Sequence, residues 1–182
     1  GKSDLTNDLS DDHPIGLRFD RQLANRDRQL RSPEVVDSHI KLGPRGELEC
    51  IACHNPHNNE LGDFLRMPKR EGALCNTCHQ LDGWRISSHA LSGKAVPQTL
   101  AGMEKLDFTS MADNACASCH VSHGAPQSER LLRKRSVDLC LDCHNGITGV
   151  DVTSVAGQFS GHRFNRFVNR HSPEEDPRSM PP

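Results

Sequence analysis

Residues 50–57 read CIACHNPH, and the pentapeptide Cys-x-x-Cys-His at their start occurs four times in this chain. The copies use all eight cysteines: Cys50 and Cys53, Cys75 and Cys78, Cys116 and Cys119, Cys140 and Cys143. A histidine follows each pair directly: His54, His79, His120 and His144. Two thiols three residues apart lie on one edge of a helical turn. This is the attachment motif of c-type haem, in which the thiols bond to the vinyl groups and the histidine binds the iron.

Paired Cys-x-x-Cys motifs also build zinc ribbons and disulfide frameworks. The 21 residues between Cys53 and Cys75, and the 20 between Cys119 and Cys140, are close to zinc-ribbon spacing. However, a zinc site of four thiolates has no use for a histidine after each second cysteine, and a disulfide network has none either. The sequence therefore predicts four covalently bound haem c groups, at motifs that we number 1 to 4 in chain order.

The composition is poor in apolar residues. Hydrophobic residues make up 34% of the 182 residues and aromatic residues 4%, with one Trp and no Tyr. A domain of this length needs a richer apolar set to offset its chain entropy, and covalently held porphyrins would supply the missing surface. We expect a haem-cored fold that is mostly irregular, with short α-helices and little or no β-sheet.

Charge and hydropathy restrict the partners and the location. A formal net charge of −2 does not suggest nucleic-acid binding, and no apolar run reaches the length of a membrane span. The sequence starts at Gly1 without Met, as a processed chain would, and haem is attached to such motifs outside the cytoplasm. We therefore expect a secreted protein, extracellular or periplasmic, whose signal peptide has been removed.

The chain repeats itself around the motifs. Motifs 1 and 3 extend to Cys-x-x-Cys-His-x-x-His, and each is followed by a leucine-containing link and then by Leu-Cys-x-x-Cys-His. We predict a haem-free N-terminal arm over residues 1–48, a first dihaem half over 49–105, a second over 106–165 and a Pro-rich tail over 166–182. Within the arm, residues 24–31 are predicted to form a short helix.

Seven histidines lie outside the pentapeptides, more than four irons need as second axial ligands. They are His13, His39, His57, His89, His123, His162 and His171. Methionine is the other possible axial ligand, and the chain has Met67, Met103, Met111 and Met180. Because the methionines occupy no repeated positions while histidines are in surplus, we expect bis-histidine coordination at every haem.

In motifs 1 and 3 a further histidine, His57 or His123, follows the motif histidine by three residues. Three residues span at most about 10–11 Å, too little for both rings to approach one iron comfortably from opposite sides. We therefore expect His57 to bind the haem of motif 2 and His123 to bind the haem of motif 4.

The first haem of each half then takes the histidine upstream of that half, which is His13 for motif 1 and His89 for motif 3. His162 is the reserve candidate for the role of His13, because its Ser-Gly-His-Arg setting resembles the start of a third repeat. His39 and His171 fall outside the repeat and are expected to be exposed or hydrogen-bonding residues.

The paired signatures resemble the doubled Cys-x-x-Cys-His family of multihaem cytochromes over about residues 5–165. The strongest likenesses are at 49–57 and 73–79, with further ones at 11–15 and 84–89. Four haems and an N-terminal arm also look like the tetrahaem cytochromes that polymerise into extracellular nanowires. In that group a histidine of one subunit can complete a haem in the next, which the resemblance suggests for His13 or His162.

We therefore expect an electron-transfer protein, not an enzyme. It would form a homopolymeric conductive filament and exchange electrons with other redox proteins or extracellular acceptors. A soluble periplasmic shuttle and a haem subunit of a larger redox complex are the alternatives. A multihaem reductase is a weaker alternative, because catalysis needs an iron with an open sixth position and nothing in the sequence marks one.

Overall fold

The computed structural model describes residues 7–97, 106–126 and 129–153. Over these residues most of the chain is irregular, with short helices and one two-stranded sheet, so the predicted fold class is confirmed. The α-helices are α1 (Arg21–Arg26), α2 (Cys50–Cys53), α3 (Ala73–Asn76), α4 (Ser88–Leu91), α5 (Met111–Asn114) and α6 (Ser136–Cys143). Short 3₁₀ turns lie at Pro33–Val35, Arg70–Gly72, Trp84–Ile86, Ala115–Ser118 and Glu129–Leu131.

The N-terminal arm is attached to the first half of the chain by backbone pairing. Strand β1 (Leu17–Arg18) runs antiparallel to β2 (Glu47–Leu48), directly before motif 1. Later in the arm, the backbone N–H of Arg31 donates to Cys78 O at 2.7 Å. The arm is therefore held at both motifs of the first half.

The start of the same arm is attached to the second half. The backbone N–H of His13 donates to Ser122 O at 2.8 Å, and Ala125 N–H donates to Asp11 O at 2.9 Å. These two bonds fix residues 11–13 beside the segment that follows motif 3. The arm thereby connects the two halves.

The arm helix begins earlier than the sequence predicts. Residues 24–31 were the predicted range, whereas α1 covers Arg21–Arg26. Asp20 caps it, because its side chain accepts from Leu23 N–H at 2.9 Å and so satisfies one of the free donors of the first turn. The prediction overlooked this cap.

The two halves repeat each other in three dimensions. His54 forms an isolated β-bridge with Leu65, and His120 forms the same bridge with Leu132. Each bridge is preceded by two residues with positive φ: Asp63 and Phe64 in the first half, Arg130 and Leu131 in the second. The leucine-containing links that the sequence singles out are therefore equivalent structures.

The halves contact each other through charged side chains. Arg70, after the link of the first half, pairs with Asp113 of α5 at 2.8 Å and lies 5.5 Å from the centre of the Phe108 ring. Lys69 bridges Asp63 and Asp107, at 2.8 and 2.6 Å. These contacts place α5, and hence motif 3, next to the segment that leads into motif 2.

The apolar core of the polypeptide is small. The buried apolar residues of the described part are Phe19, Ala24, Ile40, Ala52, Leu65, Val96, Leu106, Ala115, Ala125 and Leu139. Four of these are alanines, whereas Ile86 and Ile147 are 82% and 91% exposed. The polypeptide therefore leaves large apolar side chains in solvent, as expected of a chain that packs around attached porphyrins.

The division into arm, two halves and tail stays a prediction. Residues 154–182, which contain the predicted tail and the reserve candidate His162, lie outside the described residues.

Candidate haem sites

The four pentapeptides share one backbone geometry. In each, the N–H of the motif histidine donates to the carbonyl of the first cysteine four residues earlier, at 2.9–3.0 Å. The four bonds join His54 to Cys50, His79 to Cys75, His120 to Cys116 and His144 to Cys140. This helical turn holds both thiols and the imidazole on one side, which is the arrangement that attachment of haem c needs.

Backbone carbonyls orient the motif histidines. Nδ1 of His54 lies 2.8 Å from Asp63 O, and Nδ1 of His120 lies 2.8 Å from Arg130 O. Nδ1 of His144 lies 3.1 Å from Val150 O. Because a carbonyl can only accept, Nδ1 of a neutral ring carries the proton and Nε2 keeps its lone pair. These bonds leave Nε2 as the nitrogen able to bind iron, as is usual for a metal-ligating histidine.

Three motif histidines each face a histidine from another part of the chain. The ring centres are 6.1 Å apart for His13 and His79, 6.1 Å for His54 and His123, and 5.9 Å for His89 and His144. Two imidazoles on opposite sides of one iron have ring centres about 6 Å apart, given metal–nitrogen bonds near 2 Å. The spacing of these pairs therefore fits an iron held between each of them.

In the structure, three of the predicted second ligands lie beside motif histidines other than those expected from the sequence repeat. His13 faces motif 2 where we expected motif 1, His123 faces motif 1 where we expected motif 4, and His89 faces motif 4 where we expected motif 3. The ring contacts therefore differ from the expected pairings of these three histidines, which stay predictions. For His123, the sequence rule assumed that each half completes its own sites, whereas the packing brings His123 of the second half to His54 of the first.

The four motif histidines and the four predicted second ligands make eight, and His57 and His120 are the two that belong to no pair. The structure shows no ring contact between these two described residues. Both are exposed. His57 lies in the turn after motif 1, where its backbone N–H donates to the side chain of Asn55 at 3.2 Å. Its predicted assignment to motif 2 is in conflict with the position of His13, which already faces His79.

A buried carboxylate holds His123. Oδ1 of Asp12 lies 3.0 Å from Nδ1 of His123 and accepts from Gly124 N–H at 3.1 Å. Asp12 is 5% exposed, and its Oδ2 is buried without a hydrogen-bond partner. His123 is thus held by a carboxylate, whereas His54, His120 and His144 are held by backbone carbonyls. This role of Asp12 was not predicted from the sequence, although Asp12 directly precedes the candidate ligand His13.

Burial changes the ionisation of the pair at motif 2. It lowers the pKa of His13, which the bond to Pro14 O partly offsets, and His123 lowers it further. Burial also lowers the pKa of His79, with His13 as the next cause. Both rings are therefore held toward the neutral form, which is the form that binds metal.

The thiols of different motifs lie close together. A hydrogen bond between Cys75 and Cys116 raises the pKa of Cys75 and lowers that of Cys116 to about 7. Burial, and after it the thiols of Cys140 and Cys143, raises the pKa of Cys119 to about 11. Motif 2 is thus adjacent to motif 3, and motif 3 to motif 4.

Buried and half-buried arginines support the motif turns. Nε of Arg133 donates to Ala117 O at 2.6 Å, and Nε of Arg66 donates to Ile51 O at 2.7 Å. Each bond reaches a residue inside a Cys-x-x-Cys sequence, at the equivalent place in the two halves. Arg133 is only 6% exposed. The one sign of this role in the sequence is that an arginine follows the leucine in both links.

The remaining candidate ligands lie apart from these pairs. Nδ1 of His39 lies 2.6 Å from Oδ1 of Asp37, and its side chain is 70% exposed, in keeping with its position outside the repeat. His162 and His171 lie outside the described residues.

Comparison with known proteins gives one family match in each half. Residues 43–82 and 109–149 match the family described as Doubled CXXCH motif, and each segment contains two pentapeptides. This is a family of multihaem c-type cytochromes, in which the motifs bind haem c covalently and serve electron transfer. No curated protein and no solved structure gave a significant match.

The described residues contain no candidate membrane span and no candidate metal-ion cluster. No helix in these ranges has the length and apolarity to cross a membrane. Nor does this part of the chain contain a group of three or more His, Cys, Asp or Glu side chains placed to hold a metal ion.

Proposed function

We propose that the chain is a tetrahaem cytochrome in which every iron has two histidine ligands, and that it transfers electrons without catalysing a reaction of its own. The observation that carries the proposal is the set of three histidine pairs with ring centres 5.9–6.1 Å apart. Each pair includes a motif histidine, and each partner is one of the four second ligands that the sequence nominated: His13, His57, His89 and His123.

The residues of the chain have separate tasks in this function. The cysteines would hold four haem c groups by thioether bonds, and the bound groups would supply reversible one-electron iron chemistry. The carbonyls of Asp63, Arg130 and Val150 fix the rings of three motif histidines. Asp12 fixes His123 and adds a negative charge beside it. Ring orientation and nearby charge are the means by which a protein sets the potential of each site.

Bis-histidine ligation also separates this proposal from catalysis. A reductase needs an iron with an open sixth position, and paired imidazoles would close the iron at motifs 1, 2 and 4. The test is addition of carbon monoxide to the reduced holoprotein, which should cause no spectral change. A carbon monoxide complex in the native protein would contradict full six-coordination.

The number of haems is tested separately by mass. Four attached haems should raise the mass of the polypeptide by about 2.5 kDa. A smaller increase in the purified native protein would show that a pentapeptide does not bind haem, and the tetrahaem proposal would then fail.

We further propose that the protein works outside the cytoplasm, as a conductive filament of identical subunits that passes electrons to redox proteins or extracellular acceptors. The support is the resemblance to tetrahaem nanowire cytochromes. His13 faces His79 of its own chain, so the filament proposal does not depend on exchange of this ligand between subunits. Electron microscopy of the purified protein tests this. Discrete particles under all conditions would favour the alternatives, a soluble shuttle or a subunit of a larger redox complex.

A further inference from the structure

We propose that His57 binds the iron of motif 3, opposite His120, so that the two halves exchange iron ligands reciprocally. The inference rests on the proposed bis-histidine function and deepens it. It assigns the one site that the three observed pairs leave incomplete.

The first step is the structural equivalence of the two halves. His54 and His120 form the same bridge to a leucine, and their Nδ1 atoms face the same position of the link at the same distance, 2.8 Å. His57 and His123 each follow these rings by three residues. Whatever His123 contacts in the first half, His57 should therefore contact in the second.

The second step uses the observed pairs as a check on this equivalence. His13, upstream of the first half, faces the second motif of that half, at 6.1 Å and 79° between ring planes. His89, upstream of motif 3, faces motif 4, the second motif of the second half, at 5.9 Å and 88°. The pair of His13 and His79 is thus repeated by the equivalent pair of His89 and His144. The repeat applied to the pair of His123 and His54 then gives His57 and His120.

The third step is to ask which described histidines are left outside the three pairs. Among the described histidines, the three observed pairs use six, and His57, His120 and His39 remain. His39 is bonded to Asp37 in the arm and has no counterpart in the repeat. His57 and His120 are both exposed, and His57 lies on a turn of exposed residues, so its ring can move without breaking a buried contact.

The consequence is an interlocked pair of halves. Residues 54–57 would supply ligands to motifs 1 and 3, and residues 120–123 would supply ligands to the same two motifs. Neither half could complete its first site alone. The second site of each half would instead be closed from upstream, by His13 or His89.

The experiment counts carbon monoxide molecules bound per reduced holoprotein, relative to the native chain. His57→Gly should add one binding site. The double variant H57G/H120G should still add only one, because both rings belong to the same iron. The matched control H57G/H79G should add two. High-spin ferric iron in electron paramagnetic resonance should follow the same counts.

The opposite counts, two sites for H57G/H120G and one for H57G/H79G, would overturn the inference and return His57 to motif 2. No added site in His57→Gly would also overturn it, because His57 would then bind no iron. If H57G/H120G loses the haem of motif 3, which mass reveals, the remaining three haems should add no site. One added site among those three would contradict the inference.

The counts also distinguish this inference from the proposed function. A native protein that already binds carbon monoxide contradicts full bis-histidine ligation. An increase of one site on His57→Gly, retained without further increase in H57G/H120G, would still support the assignment of His57 to motif 3.

Discussion

Replacing Asp12 by Asn should raise the reduction potential at motif 1 and leave the fold intact. Oδ1 of Asp12 lies 3.0 Å from Nδ1 of His123, and the iron would lie about 4 Å beyond that nitrogen, given metal–nitrogen bonds near 2 Å. The carboxylate would thus be about 7 Å from the iron. At that distance a unit charge favours the oxidised iron by about 2 kcal/mol with an effective dielectric constant of 20, or by about 100 mV.

Asn keeps the accepting oxygen and removes the charge, so one of the four potentials should rise by about 100 mV while the others move much less. Spectroelectrochemical titration of the holoprotein measures all four. Asp11→Asn is the matched control, since Asp11 lies in the same arm and bonds to the second half through its backbone carbonyl. If all four potentials of the Asp12 variant match those of the native protein, the electrostatic argument is refuted.

Three further predictions concern stability. Arg133→Leu should lower the free energy of unfolding by about 1–3 kcal/mol, because it leaves the carbonyl of Ala117 without its buried donor, and chemical denaturation of the holoprotein measures this loss. Lys69→Met should make the free energy of unfolding of the holoprotein fall less steeply as the pH is lowered below about 4, as measured by chemical denaturation at a series of pH values. Lys69 lowers the pKa of Asp63, so their interaction stabilises the fold above the unfolded pKa near 4 and is lost as the pH falls through the lower folded pKa. Finally, polypeptide produced without haem attachment should show no cooperative thermal transition by circular dichroism, since its described core has ten buried apolar residues and four of them are alanines. A sharp transition would contradict the haem-cored fold.

The sequence predicts much of the chemistry because that chemistry is local. Four Cys-x-x-Cys-His motifs need only one helical turn each, and the structure shows that turn at all four. The leucine-containing links were also visible as repeated letters, and their equivalence follows from repeated backbone bonds.

The pairing of His123 with His54 could not be predicted in the same way, because it depends on how the two halves pack. Short sequence distances favoured partners within one half. The contacts of Arg70 with Asp113 and of Lys69 with Asp107, which pack the halves together, cannot be predicted from the spacing of the motifs. The bond from Asp12 to His123 spans 111 positions, so the carboxylate could be recognised only after the arm was seen beside the second half.

The adjacency of Asp12 and His13 has a consequence for how these sites can vary. One residue positions the ring that faces motif 1, and the next supplies the ring that faces motif 2. Any displacement of this dipeptide, by a partner that grips the arm or by a cut near it, would alter the electronic properties of two centres at once. A movement of the arm therefore cannot shift one of these centres without shifting the other.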